Sequence, residues 1–211
     1  MRTEDLIRAL AEDGQPGTPP RRALLVALLS SVVVVGVLFG LTLGPRANLM
    51  SLFGSWRFDL KLAYVVALTA LAAHGVMKLT NPVERPARAV WHLTPAVLLL
   101  VCGLAAEMWL VPAGEFGRRM IGTNATACLM AIPLYALAPL GAFLYAMRSG
   151  APSSATATGA LIGLLSAALG ASFYALHCTD DSPLFVALWY TIAIAVMTGV
   201  GALLGRRLLR W

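Results

Sequence analysis

The sequence predicts an all-α integral membrane protein, a bundle of six transmembrane helices with both termini cytoplasmic. Three observations predict it. Of 211 residues, 59% are apolar and only 12% are charged, against about 25% charged in a soluble domain. Six apolar stretches recur, each long enough for the ~20 residues that a spanning helix needs. Lysine and arginine collect at the ends of alternate stretches rather than along one face. The chain therefore divides into a polar tail, 1–22, and a transmembrane domain, 23–211, with no stretch left over for a separate soluble core.

The predicted spans are Ala23–Leu43, Leu60–Met77, Leu93–Val111, Ala127–Met147, Gly159–Cys178 and Leu184–Leu204. The first follows Arg21-Arg22 but exceeds a signal-peptide core in length and lacks a small-residue cleavage site, so it reads as a true first helix. The second is the weakest, since Lys61, His74 and Lys78 trim its edges. Proline and glycine punctuate the loops at Gly44-Pro45, Asn81-Pro82, Pro112, Ala151-Pro152 and Ser182-Pro183. Pro133 and Pro139 fall inside the fourth span, where neighbouring helices can satisfy the freed carbonyls. Glycines four apart at 36/40/44, 159/163 and 201/205 predict close helix contact.

Charge orients the bundle. With both termini in the cytoplasm, eleven basic residues lie inside and five outside (Arg46, Arg57, Lys61, Arg118, Arg119), as the positive-inside rule requires. The same distribution explains the net charge of +6 without invoking nucleic acid, and the lipid bilayer is the partner it indicates.

The tail is the one sizeable polar segment. Thr3 can cap a helix whose first turn carries Glu4 and Asp5, and Leu6, Ile7 and Leu10 form a short apolar stripe. The run Gly14 to Pro20 cannot continue a helix and reads as a tether. A helix this short is marginal alone in water. It orders either on a partner or flat on the inner leaflet.

Two cysteines form the candidate site. Cys128 opens the fourth span and Cys178 closes the fifth, so this topology puts both thiols at the outer surface. His177, Asp180 and Asp181 adjoin Cys178, and Glu107 lies near the outer end of the third span, where an intramembrane carboxylate is costly. These four are the candidate metal or sensor neighbours of the thiols, although Glu107 can also reach the interface beside Trp109. The donors suit a soft or borderline metal ion, but the spacing matches no local zinc motif. A sensing or metal site, a disulfide in an oxidising compartment and simple packing all remain open on the residues alone. Cys102, in mid-span, reads as packing. No HExxH, GxSxG, Walker or dinucleotide motif occurs, so no enzyme is expected and no cofactor is obligatory. A heavy-metal ion at the cysteine pair is the one ligand the side chains suggest.

The opening Thr3 to Asp13, the six spans, Cys128, the segment Ala175 to Phe185 and Trp189-Tyr190 together resemble the NrsF-type membrane anti-sigma factors. The resemblance implies a bacterial inner-membrane protein that holds an extracytoplasmic-function sigma factor inactive. It implies that two periplasmic cysteines, by motif match Cys128 and Cys178, release that factor under heavy-metal stress such as chromate or cadmium. Cys102 has no counterpart. The tail residues Thr3, Asp5, Leu6, Ile7 and Leu10 would then dock the sigma factor. The competing expectation is a small metal transporter built around Glu107, Cys128 and Cys178, which the Ser- and Thr-dominated mid-span polarity disfavours.

Overall fold

A computed structural model describes Thr3 and residues 19–81, 83–148, 150 and 152–209. Six of its helices are long and apolar enough to cross a membrane: α1 (Pro20–Thr42), α2 (Trp56–Lys78), α3 (Pro86–Leu110), α4 (Ala125–Met147), α5 (Ala155–Ala175) and α6 (Pro183–Leu208). Each of the six predicted spans falls on one of these helices. Proline occupies the first turn of α1, α3 and α6, where its missing N–H has no helical partner to lose. Ser154 and Ser182 cap α5 and α6, their hydroxyls accepting from the amides of Ala157 and Leu184 at 3.3 Å each. A turn at His92-Leu93 interrupts α3, and a π-helical turn at Val186–Tyr190 widens α6 near its start. Pro133 and Pro139 leave α4 continuous.

The helix α5 is the axis of the bundle: 67% of its membrane stretch is buried, against 22% for α3. Its sequence explains this position. Gly159 and Gly163 on α5 meet Gly201 and Gly205 on α6 with no side chain between them. A Cβ on Gly159 would collide with the Gly201 carbonyl and lie 2.7 Å from the Gly205 Cα; one on Gly163 would collide with the Met197 carbonyl. On the other side, a Cβ on Gly170 would sit 2.9 Å from the Ile132 carbonyl of α4. Backbones this close exchange dispersion over their whole length, which is what associates helices in lipid, where burial of apolar surface supplies no drive. The expected glycine contact in α1 does not extend along the row. Gly36 packs against Phe173, but Gly40 and Gly44 have open space where a side chain would stand. Gly44 instead serves the turn after α1, with φ of 63°, a conformation that costs glycine nothing.

Two further expectations change. Lys61 does not trim α2: the helix begins at Trp56, and Lys61 is wholly buried one turn in. Cys102 is exposed on the lipid-facing side of α3 and takes no part in the core.

The α5–α6 contact makes a direct prediction. Gly163→Ala should lower the stability of the bundle by about 1–3 kcal/mol, the usual cost of overpacking. Gly40→Ala, which adds the same methyl to open space, should be neutral or stabilising by up to about 1 kcal/mol. Unfolding both variants in mixed micelles, followed by helicity, measures the difference.

Candidate functional site

At one end of the bundle the loops carry charges that fold inward rather than out to water. Lys61 heads this cluster. Its ammonium donates to the Cys178 carbonyl at 2.8 Å, to the Asp180 carbonyl at 3.5 Å and to the Asp181 carboxylate. Three donors thus meet three acceptors. A buried ammonium persists only when paired and hydrogen-bonded in this way. Arg46, from the α1–α2 loop, binds the same Asp181 carboxylate at 3.0 Å and stacks 4.8 Å from the Phe58 ring centroid. The Arg46 amide donates to the Leu176 carbonyl at 3.2 Å, and His177 Nδ1 lies 3.0 Å from the Gly44 carbonyl. The loop between α1 and α2 is therefore fastened to the loop between α5 and α6.

Glu107 is the second anchor. It is fully buried, and its carboxylate accepts from Arg57 Nε at 2.8 Å, Arg119 Nη1 at 3.3 Å and Ser182 Oγ at 3.1 Å. The interface alternative for this residue is thereby corrected. Glu107 turns into the protein toward two guanidinium groups, while Trp109, two residues on, points outward with 90% of its surface exposed. The cause is electrostatic, since a carboxylate at this depth gains more from two fixed cations than from a reach toward the interface.

Asp180 closes the loop onto α4. Its carboxylate accepts from the amides of Thr123 and Asn124 at 2.9 and 2.8 Å and from Asn124 Nδ2 at 2.9 Å. These groups stand at the start of α4, where free amides and the helix dipole favour an anion. Burial alone would push the Asp180 pKa up, but the bonds from Asn124 and Thr123 outweigh it and hold the carboxyl below its ordinary value. Gly122, with φ of 60°, lets the chain pass: a Cβ there would lie 2.8 Å from the Asp180 carboxyl carbon. Trp189 Nε1 adds a bond to the Met120 carbonyl at 3.0 Å.

Under this clasp lie the two thiols. Cys128 stands in the first turn of α4, its amide bonded to the Asn124 carbonyl at 2.8 Å. Cys178 follows the end of α5, its amide bonded to the Tyr174 carbonyl at 2.9 Å. Both are free, completely buried and members of one core cluster with Tyr174, Phe185 and Tyr190. The two sulfurs are within electrostatic reach of each other, of Lys61 and of the Tyr174 and Tyr190 hydroxyls. Both tyrosine hydroxyls are buried and lie against the Cys178 thiol. The Cys178 thiol also makes a weak contact, at 3.8 Å, with the Asp180 carbonyl.

The structure thus brings Cys128 and Cys178 together and places the other candidates around them in different roles. The His177 ring meets Gly44, Asp180 meets the α4 start, Asp181 meets Lys61 and Arg46, and Glu107 meets Arg57 and Arg119. Among the described residues no group of three or more His, Cys, Asp or Glu side chains is placed to hold a metal ion. The donor set is two thiols, which suits a soft ion of low coordination number. Thr3 is helical and exposed, while Asp5, Leu6, Ile7 and Leu10 lie outside the described residues. Sequence reasoning missed Lys61, Arg46, Arg57 and Arg119 as parts of the site. The signal was present, since basic residues on the side poor in positive charge call for acidic partners. Asp181→Asn should lower stability by about 3 kcal/mol by leaving the Lys61 ammonium buried without its counter-charge, and Lys61→Met in the same chain should recover most of that loss. Unfolding of the single and double variants in micelles checks both.

Against known proteins, a family model described as "Negative regulator of sigma F" (NrsF) matches residues 10–211. The match starts after Thr3, Asp5, Leu6 and Ile7. The chain is 32% identical to the anti-sigma-F factor NrsF of Caulobacter vibrioides over 217 residues, and 30% identical to the probable anti-sigma-F factor NrsF of Azospira oryzae over 218 residues. Both alignments cover 100% of this chain and 100% of the relative. No solved structure matches the chain. A six-span bundle matched from residue 10 to its last residue, and aligned end to end with two relatives, belongs to the NrsF family of anti-sigma factors, a regulatory rather than a catalytic family.

Proposed function

We propose that this anti-sigma factor sits in the bacterial inner membrane with both termini cytoplasmic and sequesters an extracytoplasmic-function sigma factor through its N-terminal tail. The tail residues Thr3, Asp5, Leu6, Ile7 and Leu10 supply the docking stripe, and release follows when Cys128 and Cys178 meet heavy-metal or redox stress on the periplasmic side. The observation that carries this reading is the pair of free thiols buried together beneath a hydrogen-bonded clasp. Membership in a family of negative regulators favours it over the transporter alternative.

The chemistry of the pair supplies an input. A soft divalent ion takes both thiolates and displaces two protons; an oxidant instead takes two electrons, releases two protons and leaves a disulfide. Either outcome replaces two independent thiols by one linked unit. Because Cys128 lies in the first turn of α4 and Cys178 just beyond the end of α5, the linked unit constrains those helices relative to each other. The far end of α4 is Met147-Arg148, and Pro20, at the root of the tail, lies beside Gly150 in the next loop. Coupling between two such ends is typically worth ~1–3 kcal/mol, a change of about 5–150-fold in sigma-factor affinity.

Deletion of residues 1–13 should abolish co-purification of the sigma factor while the bundle keeps its helicity. A truncated protein that still captures the factor would refute the docking assignment. Cys128→Ala and Cys178→Ala should each blunt release by cadmium or chromate in a reporter strain, with Cys102→Ala, at the lipid-facing position, unchanged. Identical dose responses in all three variants would remove the thiols from the mechanism.

A further inference from the structure

The end of the bundle opposite the cysteines carries a feature that sigma-factor control leaves unused. The ion pairs among the described residues all lie at the cysteine end. At the other end Arg21, Arg22, Arg148, Arg206 and Arg207 are exposed, and none forms an ion pair with a described residue. Five cations are thus gathered around the start of α1, the end of α4 and the end of α6, without an ion pair among the described residues.

Two apolar furrows run up to this basic rim. One, of about 720 Å³, lies between α1 and α4 and is walled by Ala27, Ser30, Ala142 and Ala146. The other, of about 360 Å³, lies between α4 and α6 and is walled by Leu137, Gly141, Leu204 and Leu208. Small side chains make the larger furrow, where alanine and serine leave the space between α1 and α4 unfilled, whereas leucines with Gly141 line the smaller one. Both furrows are bounded by the same two residues, Tyr145 and Arg148. Tyr145 is 76% exposed and stands as a ridge between them.

We infer that this surface is a binding site for one anionic phospholipid of the adjoining leaflet. The shape matches a molecule with two acyl chains joined at one phosphate. Each chain lies in a furrow and covers apolar wall that a bulk lipid would cover less closely. The phosphate meets the Arg148 guanidinium, which borders both furrows together with the exposed Tyr145. Arg21, Arg22, Arg206 and Arg207 add long-range attraction that a zwitterionic headgroup does not share. Basic pockets between membrane helices recruit anionic headgroups by the same forces, and arginine suits phosphate through its forked donors. The lipid would then lie beside Pro19 and Pro20, at the root of the tail.

The full chain, released from nanodiscs of equal phosphatidylglycerol and phosphatidylcholine and weighed by native mass spectrometry, tests the inference. The wild type should retain one phosphatidylglycerol in preference to phosphatidylcholine. Arg148→Gln should cut that preference about fivefold, and Ala142→Phe, which fills the larger furrow, should reduce retention of the bound lipid. Arg118→Gln, at an exposed arginine of the cysteine end, should leave retention unchanged. Equal retention of the two lipids by the wild type, or an unaltered preference in Arg148→Gln with intact helicity, would overturn the assignment. So would a rise in bound lipid on deletion of residues 1–18, since the chain's own acidic tail would then be the occupant.

Discussion

The ammonium of Lys61 is the point on which the cysteine end of this molecule depends. It is buried without exposure, and its three acceptors all come from the segment Cys178 to Asp181. A charge in that position is unfavourable by several kcal/mol unless its partners stay in place, so the loop between α5 and α6 cannot lift away without stranding it. That requirement holds Cys178 at the end of α5 and turns the Asp181 carboxylate toward Arg46. The adjacent Asp180 side chain is left facing the start of α4. Through these contacts one lysine on α2 sets where α1, α4, α5 and α6 meet, and the cysteine pair sits beneath that junction. The thiols therefore lie under the best-fastened part of the loops.

The same end explains why cations are found there at all. The five basic residues assigned to the outer side each pair with a carboxylate: Arg46 and Lys61 with Asp181, Arg57 with Glu107, Arg118 with Glu115, and Arg119 with Glu107 and Glu115. Their positive charge is offset locally, so they oppose the orientation far less than a simple count suggests. At the other end the arginines lack described ion-pair partners, and the charge there is free to act on a headgroup or a membrane potential. The asymmetry that matters is thus not in the number of cations but in which of them keep their charge exposed.

The helix packing follows a different rule from the charges. In α5, glycine at 159, 163 and 170 brings α6 and α4 to backbone contact, and this close approach makes α5 the central helix. The row in α1 has the same spacing, yet only Gly36 meets a neighbour. Spacing records that a helix has a smooth face; it does not record whether another helix lies against it. Depth behaves likewise. Cys102, Glu107 and Trp109 occupy one helix within eight positions, and only rotation about its axis separates a lipid-facing thiol and indole from a buried carboxylate.

Hydropathy, proline punctuation and charge bias are local properties, and they were enough to locate six spans and to pair Cys128 with Cys178 at one end of the bundle. The reason is that a bilayer demands long apolar helices whatever their neighbours, so each span announces itself. Lys61 shows what such a reading cannot reach. In sequence it is a flaw at the edge of the weakest span; in three dimensions it is the buried cation beside the site, because its partners lie about 120 residues away and only the folded bundle brings them near. His177, Asp180 and Asp181 were legible as neighbours of Cys178, but not which way each would turn. Tertiary contact decided that, assigning them in turn to a backbone carbonyl, a helix start and two cations, and leaving the two thiols as each other's company.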